Sequence, residues 1–253
     1  MYHNTGLDST DFNELYNLLQ EIRESANKKG GRPPALSLWD SLAATLKYLR
    51  RNRTQWELAE DYGVSQATVS RAIRTISRQV SEALTPAVPT VNDLNPNEPL
   101  LVDGTVVPCW DWADTQGLYS VKNHTTGFNL QVATTLSGNL AWISDPLPGS
   151  THDAKAIRDH GLLDQFGTIR LAGDKGYIGL GMITPEKKPS GIDMPESTKL
   201  LNRSVNSARA VVERTIAHIK TWRILDTPYR GPLNRFPDIV STVVALEFFR
   251  LGF

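Results

Sequence analysis

Between Thr85 and Pro99 the chain reads TPAVPTVNDLNPNEP, with prolines at 86, 89, 96 and 99. Proline has no backbone N–H to give and holds φ near −65°, so no regular element is expected to cross this stretch. Before it, apolar residues recur at helical spacing; after it, short apolar runs alternate with turn residues, and helical patterns return only near the end. The expected organisation is a small all-helical head over residues 1–85, a linker over 86–99 and a mixed α/β body over 100–253.

The head carries QWELAEDYGVSQATVSRAIRTI, in which Ala59 is followed by Gly63 and then Val69. A helix-turn-helix needs a small residue at the crossing, a glycine in the turn and an apolar wedge between the helices, at this spacing. Ser65 is a natural N-cap, which puts Gln66, Thr68, Ser70 and Arg71 on the first turns of a recognition helix, with Arg74 and Arg78 further along. Residues 28–53 hold Lys28, Lys29, Arg32, Lys47, Arg50, Arg51 and Arg53 against the single acid Asp40. A basic patch of this kind suits phosphate contacts, and double-stranded DNA is the expected partner. A plain helical hairpin with a solvated charge run is the competing reading.

The formal net charge of zero seems to argue against a polyanionic partner, but it hides a segregation. Residues 91–200 carry 8 Lys+Arg against 13 Asp+Glu, and residues 201–253 carry 8 against 4. Cys109, the only cysteine, excludes an internal disulfide and a cysteine-rich zinc site. No apolar run approaches the ~20 residues of a membrane span and no signal-peptide pattern is present, so a cytoplasmic, nucleoid-associated protein with no membrane partner is expected.

Three acids stand in segments that otherwise look built to pack. Asp103 interrupts the apolar run PLLVDGT, Asp174 ends RLAGD, and Glu213 lies in the helical segment ARAVVERTIAHIKTW. At 100° per residue Arg209, Glu213 and Lys220 fall within about 40° of one another beside an apolar arc that includes Val205, Val212 and Ile219. An Arg-Glu pair at i,i+4 that decorates a helix would contribute only about 0.2 to 0.5 kcal/mol. Two strand-end aspartates and a helical glutamate meeting at a sheet edge would instead repel unless a hard cation sat among them, and oxygen-only ligands suit Mg²⁺ or Mn²⁺. Such ions support phosphodiester chemistry.

These pieces, VDGT, GSTHDAKAIR, AGDKGY and RAVVERTIAHIK in this order, resemble the DDE-type transposases of the bacterial IS-five group, akin to the eukaryotic Harbinger-type transposases, over almost the whole chain. The last reproduces the group's Arg, three residues, Glu, six residues, Lys spacing, although Asn206 stands where the group often has Tyr. The resemblance implies a ribonuclease-H-like fold, with Asp103 and Asp174 on a mixed sheet and Glu213 on a helix beside them as catalytic metal ligands for Mg²⁺ or Mn²⁺. It also implies that Arg209 and Lys220 hold that helix and touch phosphate, with Asp153 in support. The activity implied is cleavage of an element's ends and joining of the 3'-hydroxyls to target DNA. Terminal inverted repeats and target DNA would be the substrates, and the enzyme would work as a homodimer or higher oligomer on them. A domesticated helix-turn-helix regulator and a stand-alone metal-dependent endonuclease are the alternatives; the presence of all three acids argues against the first. His152 is read as a capping or packing residue, Lys122 and His124 as phosphate-touching or solvated, and Trp110, Trp112 and Trp142 as packing residues.

Overall fold

The helical spacing of the head builds α1 (Tyr2–Thr5), α2 (Ser9–Ser25), α3 (Leu38–Arg51), α4 (Gln55–Asp61) and α5 (Gln66–Leu84). The computed structural model describes residues 2–25, 33–110, 117–166, 170–188, 190–191 and 193–252. Lys28, Lys29, Arg32 and Trp112 lie outside the described residues. Caps set the helix starts. Ser37 accepts from the Asp40 amide at 3.0 Å to open α3, and Thr54 and Glu57 form a reciprocal capping box to open α4. Gly63, at φ 62°, turns the chain, and the Val64 amide donates to the Ala59 carbonyl at 3.0 Å. Ser65 then caps α5 by accepting from the Thr68 amide at 3.2 Å. Ala59 and Val69 are both buried, as a crossing point and a wedge require.

The strands of the body begin immediately after the proline-rich stretch. Its strands are β1 (Leu100–Pro108), β2 (Tyr119–Ser120), β3 (Thr125–Thr135), β4 (Leu140–Ile143), β5 (Leu147–Pro148) and β6 (Leu171–Ala172). β3 pairs antiparallel with β1 along its length, and with β2, β5 and β4 in succession; β6 pairs parallel with β1. The helices are α6 (Asp153–Asp159), α7 (Leu162–Phe166) and α8 (Glu196–Ile219). Gly161, at φ 70°, separates the first two. Side chains alternate across a strand, so Val102 and its partner Ala133 share one face. They enter a core with Ile157, Leu162, Phe166 and Tyr177. The other face of β1 and β3 receives α8, whose Val205 and Val212 are buried.

By packing, residues 89–219 form one compact unit, whereas residues 220–253 belong with residues 1–88 in the other. The sequence draws the α/β body over 100–253, whereas by packing residues 220–253 fall outside it. The physical reason lies in α9 (Arg223–Asp226) and especially α10 (Phe236–Arg250), which is apolar on nearly every side and so must be surrounded. The Thr242 hydroxyl approaches the Ser77 carbonyl on α5 at 3.3 Å. Trp222 is fully buried and donates through Nε1 to Glu247 at 2.8 Å. The expected linker is also partly structured, since Leu94 joins the core of the body.

Candidate active site and DNA-reading helices

The strand alternation that buries Val102 sends Asp103 to the opposite face, toward α8. There its Oδ2 accepts from Arg209 Nη2 at 3.2 Å, and the same nitrogen lies 3.3 Å from Glu213 Oε1. One guanidinium thus links a strand acid to a helix acid. Asp103 is 7% exposed. Burial pushes its carboxyl above the ordinary value of 3.8, Arg209 opposes this, and repulsion from Asp174 adds to it. Glu213 is on the open side of α8, its side chain 56% exposed.

Asp174 follows β6 and caps a short 3-10 turn, Lys175–Tyr177, by accepting from the Gly176 amide at 2.6 Å. A Cβ on Gly176 would lie 2.7 Å from Asp174 Oδ1, so a side chain there would displace that carboxylate. Lys122 reaches from the segment between β2 and β3 and lies 2.7 Å from Asp153 Oδ2 and 3.4 Å from Asp174 Oδ2. Burial alone would lower its ammonium, but the two carboxylates raise it.

Asp153 begins α6 on the core face of the sheet and is 8% exposed. Besides Lys122 it accepts from Asn129 Nδ2 at 3.0 Å and Gln131 Nε2 at 3.1 Å. Burial works against its ionised form, but these donors, Lys122 foremost, hold its carboxyl below the usual 3.8. Tyr177 in turn donates to Gln131 Oε1 at 2.6 Å, and burial beside three carboxylates drives its hydroxyl well above 10.0. Asn129, Gln131 and Tyr177 escaped the sequence reading. The signal was present in GFNLQVA, where two amides two residues apart on an apolar strand must share a face.

Asp103, Asp174, Arg209 and Glu213 are therefore brought together through shared cations and mutual charge, with Asp153 joined to Asp174 by Lys122. Lys220 is the first residue after α8 and belongs to the helical unit, so the charge stripe drawn on the sequence ends at Ile219. Burial lowers the Lys220 ammonium. His152 occupies the N-cap position of α6 without a side-chain cap bond and is exposed, as is His124. Trp142 is buried and Trp110 is half exposed. Among the described residues no three acid, histidine or cysteine side chains stand close enough to hold a metal ion as they are placed. The donor types fit one nevertheless: the acids offer hard oxygen donors, and Asp103 and Asp174 repel each other, with Arg209 and Lys122 beside them.

On the helical unit Gln66, Thr68 and Ser70 are half-buried on the first turns of α5, and Arg71 and Arg74 are exposed. Gln66 Nε2 donates to Gln55 Oε1 at 2.5 Å, and Arg71 Nη2 to Thr68 Oγ1 at 3.3 Å. Of the three arginines expected to meet phosphate at the end of α3, Arg51 alone is exposed. Arg53 is paired with Asp61. Arg50 is a correction: it is 8% exposed, donates to the Thr221 hydroxyl at 2.6 Å and stacks 5.4 Å from the Trp222 ring centre. It is a packing residue of the helical core, because an arginine can lay its planar head on an aromatic face.

Residues 102–247 match the family described as DDE superfamily endonuclease, and residues 34–86 match the helix-turn-helix of DDE superfamily endonuclease. A protein of Streptomyces albus G, named as a transposase for insertion sequence element IS112, is 31% identical over 223 residues, covering 87% of this chain and 83% of its own length. A protein of Microchaete diplosiphon, named as a transposase for insertion sequence element IS702, is 27% identical over 245 residues, covering 92% of this chain and 87% of its own. No solved structure matches significantly.

Proposed function

The chain belongs to the DDE superfamily endonucleases, and from that premise we propose that it is an insertion-sequence transposase that cleaves the ends of its element and joins the freed 3'-hydroxyls to target DNA. The observation that carries this reading is that Arg209 links Asp103 to Glu213 while Lys122 lies beside Asp174, whose charge acts on Asp103. An acid within a strand, one just after a strand and one on a helix are costly to hold near shared charges for structural reasons alone. The sheet order supports a ribonuclease-H-like body: β4, β3 and β1 run antiparallel in turn, and β6 is parallel to β1. The Arg209, Glu213, Lys220 spacing favours the IS-five group and its Harbinger-like relatives.

In this reading Asp103, Asp174 and Glu213 hold divalent cations, Mg²⁺ or Mn²⁺. When bound, such ions supply an activated water or 3'-hydroxyl and charge stabilisation for the departing oxygen. Arg209 orients Asp103 and Glu213 toward one another, and Asp153, fixed by Asn129 and Gln131, anchors Lys122 beside Asp174. The helix-turn-helix reads the terminal inverted repeats through Gln66, Thr68, Ser70, Arg71 and Arg74, with Arg51 near phosphate. Two ends must be processed together, so the working form is a homodimer or higher oligomer on DNA.

The test is strand cleavage of a repeat-bearing duplex with Mg²⁺ and with EDTA. Asp103→Ala, Asp174→Ala and Glu213→Ala are each expected to abolish cleavage while duplex binding persists. Undiminished cleavage in EDTA overturns the metal mechanism, and undiminished cleavage by the three variants overturns the site.

A further inference from the structure

The helical unit carries a cleft of about 990 Å³ between one face of α5 and the returning segment 229–242. From α5 come Gln66, Ser70, Arg74 and Ser77, which recur at helical spacing along that face; from the tail come Arg230 and Arg235. The cleft therefore starts at the first residue of α5, Gln66, and continues away from it along the helix.

Its charge is unbalanced. Five arginines line it, Arg53, Arg74, Arg78, Arg230 and Arg235, against two acids, Glu82 and Asp238. Arg53 is paired with Asp61, and Arg78 lies 3.7 Å from Glu82. Arg74, Arg230 and Arg235, all exposed, outnumber the remaining Asp238. Arg230 is held in place, its Nη2 donating to the Asn52 carbonyl at 2.6 Å. Ser77, 5% exposed, is also among the lining residues, and among the described residues its Oγ has no hydrogen-bond partner.

We propose that this cleft binds the sugar–phosphate backbone of the DNA whose bases α5 reads, so that the C-terminal segment of the chain, through Arg230 and Arg235, is part of the DNA-binding surface. The inference rests on the helix-turn-helix reading and adds the tail to it. A phosphodiester strand matches the lining, since arginine forks and hydroxyl donors are what phosphate oxygens accept from. Contacts of this type carry no sequence information and add equally to every duplex.

The experiment measures duplex affinity of the full chain against salt, for a repeat-bearing and a scrambled duplex. Each lost phosphate contact lowers the log–log salt slope by about 0.9, so Arg230→Ala/Arg235→Ala is expected to be shallower than wild type by about 1.8, with both duplexes weakened by the same factor. Arg235→Lys, which keeps the charge, is expected to keep its share of the slope, separating a lost contact from lost folding. Arg223→Ala, a tail arginine outside the cleft lining, is expected to keep the full slope. An unchanged slope in the double variant while wild type binds overturns the cleft alone, as does an equal fall in Arg223→Ala. A wild-type chain that binds no duplex overturns the helix-turn-helix reading and the cleft with it.

Discussion

Asp153 shows how much a single buried carboxylate can organise. Removing it by Asp153→Ala takes one acceptor from each of the Asn129 and Gln131 amides, and a loss of stability on the order of 1–3 kcal/mol at neutral pH is expected in chemical denaturation. Because the folded-state pKa lies below 3.8, the stability that this carboxylate contributes is complete above 3.8 and is lost as the pH falls through the lower folded value. Wild type and variant should therefore converge in strongly acidic solution; a gap that persists unchanged there would mean that packing, not charge, sets the loss. Gly104→Ala should reproduce the defect, since a Cβ at that position would lie 2.3 Å from Asp153 Oδ1. Arg209 differs in kind. It touches two of the acids and has no oxygen to offer a cation, so on the proposed reading calorimetric Mn²⁺ binding is expected to survive Arg209→Ala, whereas Asp103→Ala should lose it.

At the scale of elements, the α4–α5 pair is legible because every constraint on it is local. A small residue, a turn glycine, a cap and a wedge fall within one short stretch, and each does in the structure what its chemistry dictates. Ser65→Ala is expected to cost about 1 kcal/mol, read from the unfolding midpoint of the helical unit, because the Thr68 amide at the start of α5 loses its side-chain acceptor. The triple variant Gln66→Ala/Thr68→Ala/Arg71→Ala is expected to erase preference for the terminal repeat over scrambled DNA while salt-sensitive binding to both survives. Direct base contacts are worth about 1 to 3 kcal/mol each, and phosphate contacts discriminate nothing. Competition binding at two salt concentrations measures this; undiminished discrimination would place sequence reading elsewhere. Other elements were less legible. The RLAGDKGY run yields only the two-residue β6, since a strand's length is set by its neighbours' pairing.

For the molecule as a whole, the decisive fact is that the last segment returns to the first. Glu247, 1% exposed, accepts from Trp222 and pairs with Arg250, joining the helical unit across the chain's length. Glu247→Ala removes the buried carboxylate that accepts from Trp222 and pairs with Arg250, and a loss of about 3–5 kcal/mol is expected. The measurement is hydrogen exchange on α5: protection should fall there, far from the substitution in sequence, and undisturbed protection would show that the tail is dispensable to the helical unit.

The sequence by itself determined what depends on neighbours along the chain. Helical against strand periodicity, the helix-turn-helix, the break at the prolines and the presence of acids in apolar runs all follow from residues a few positions apart. Only the tertiary structure decided which charges meet. Strand register puts Asp103 and Asp153 on opposite faces of β1 and turns Asn129 and Gln131 toward Asp153. The packing of α10 takes residues 220–253 out of the body, and Trp222 converts Arg50 from an expected phosphate contact into part of a core. The reason is physical. Periodicity tells which side of an element is buried, but the partner of a buried charge is fixed by long-range packing, to which residues distant in sequence contribute equally.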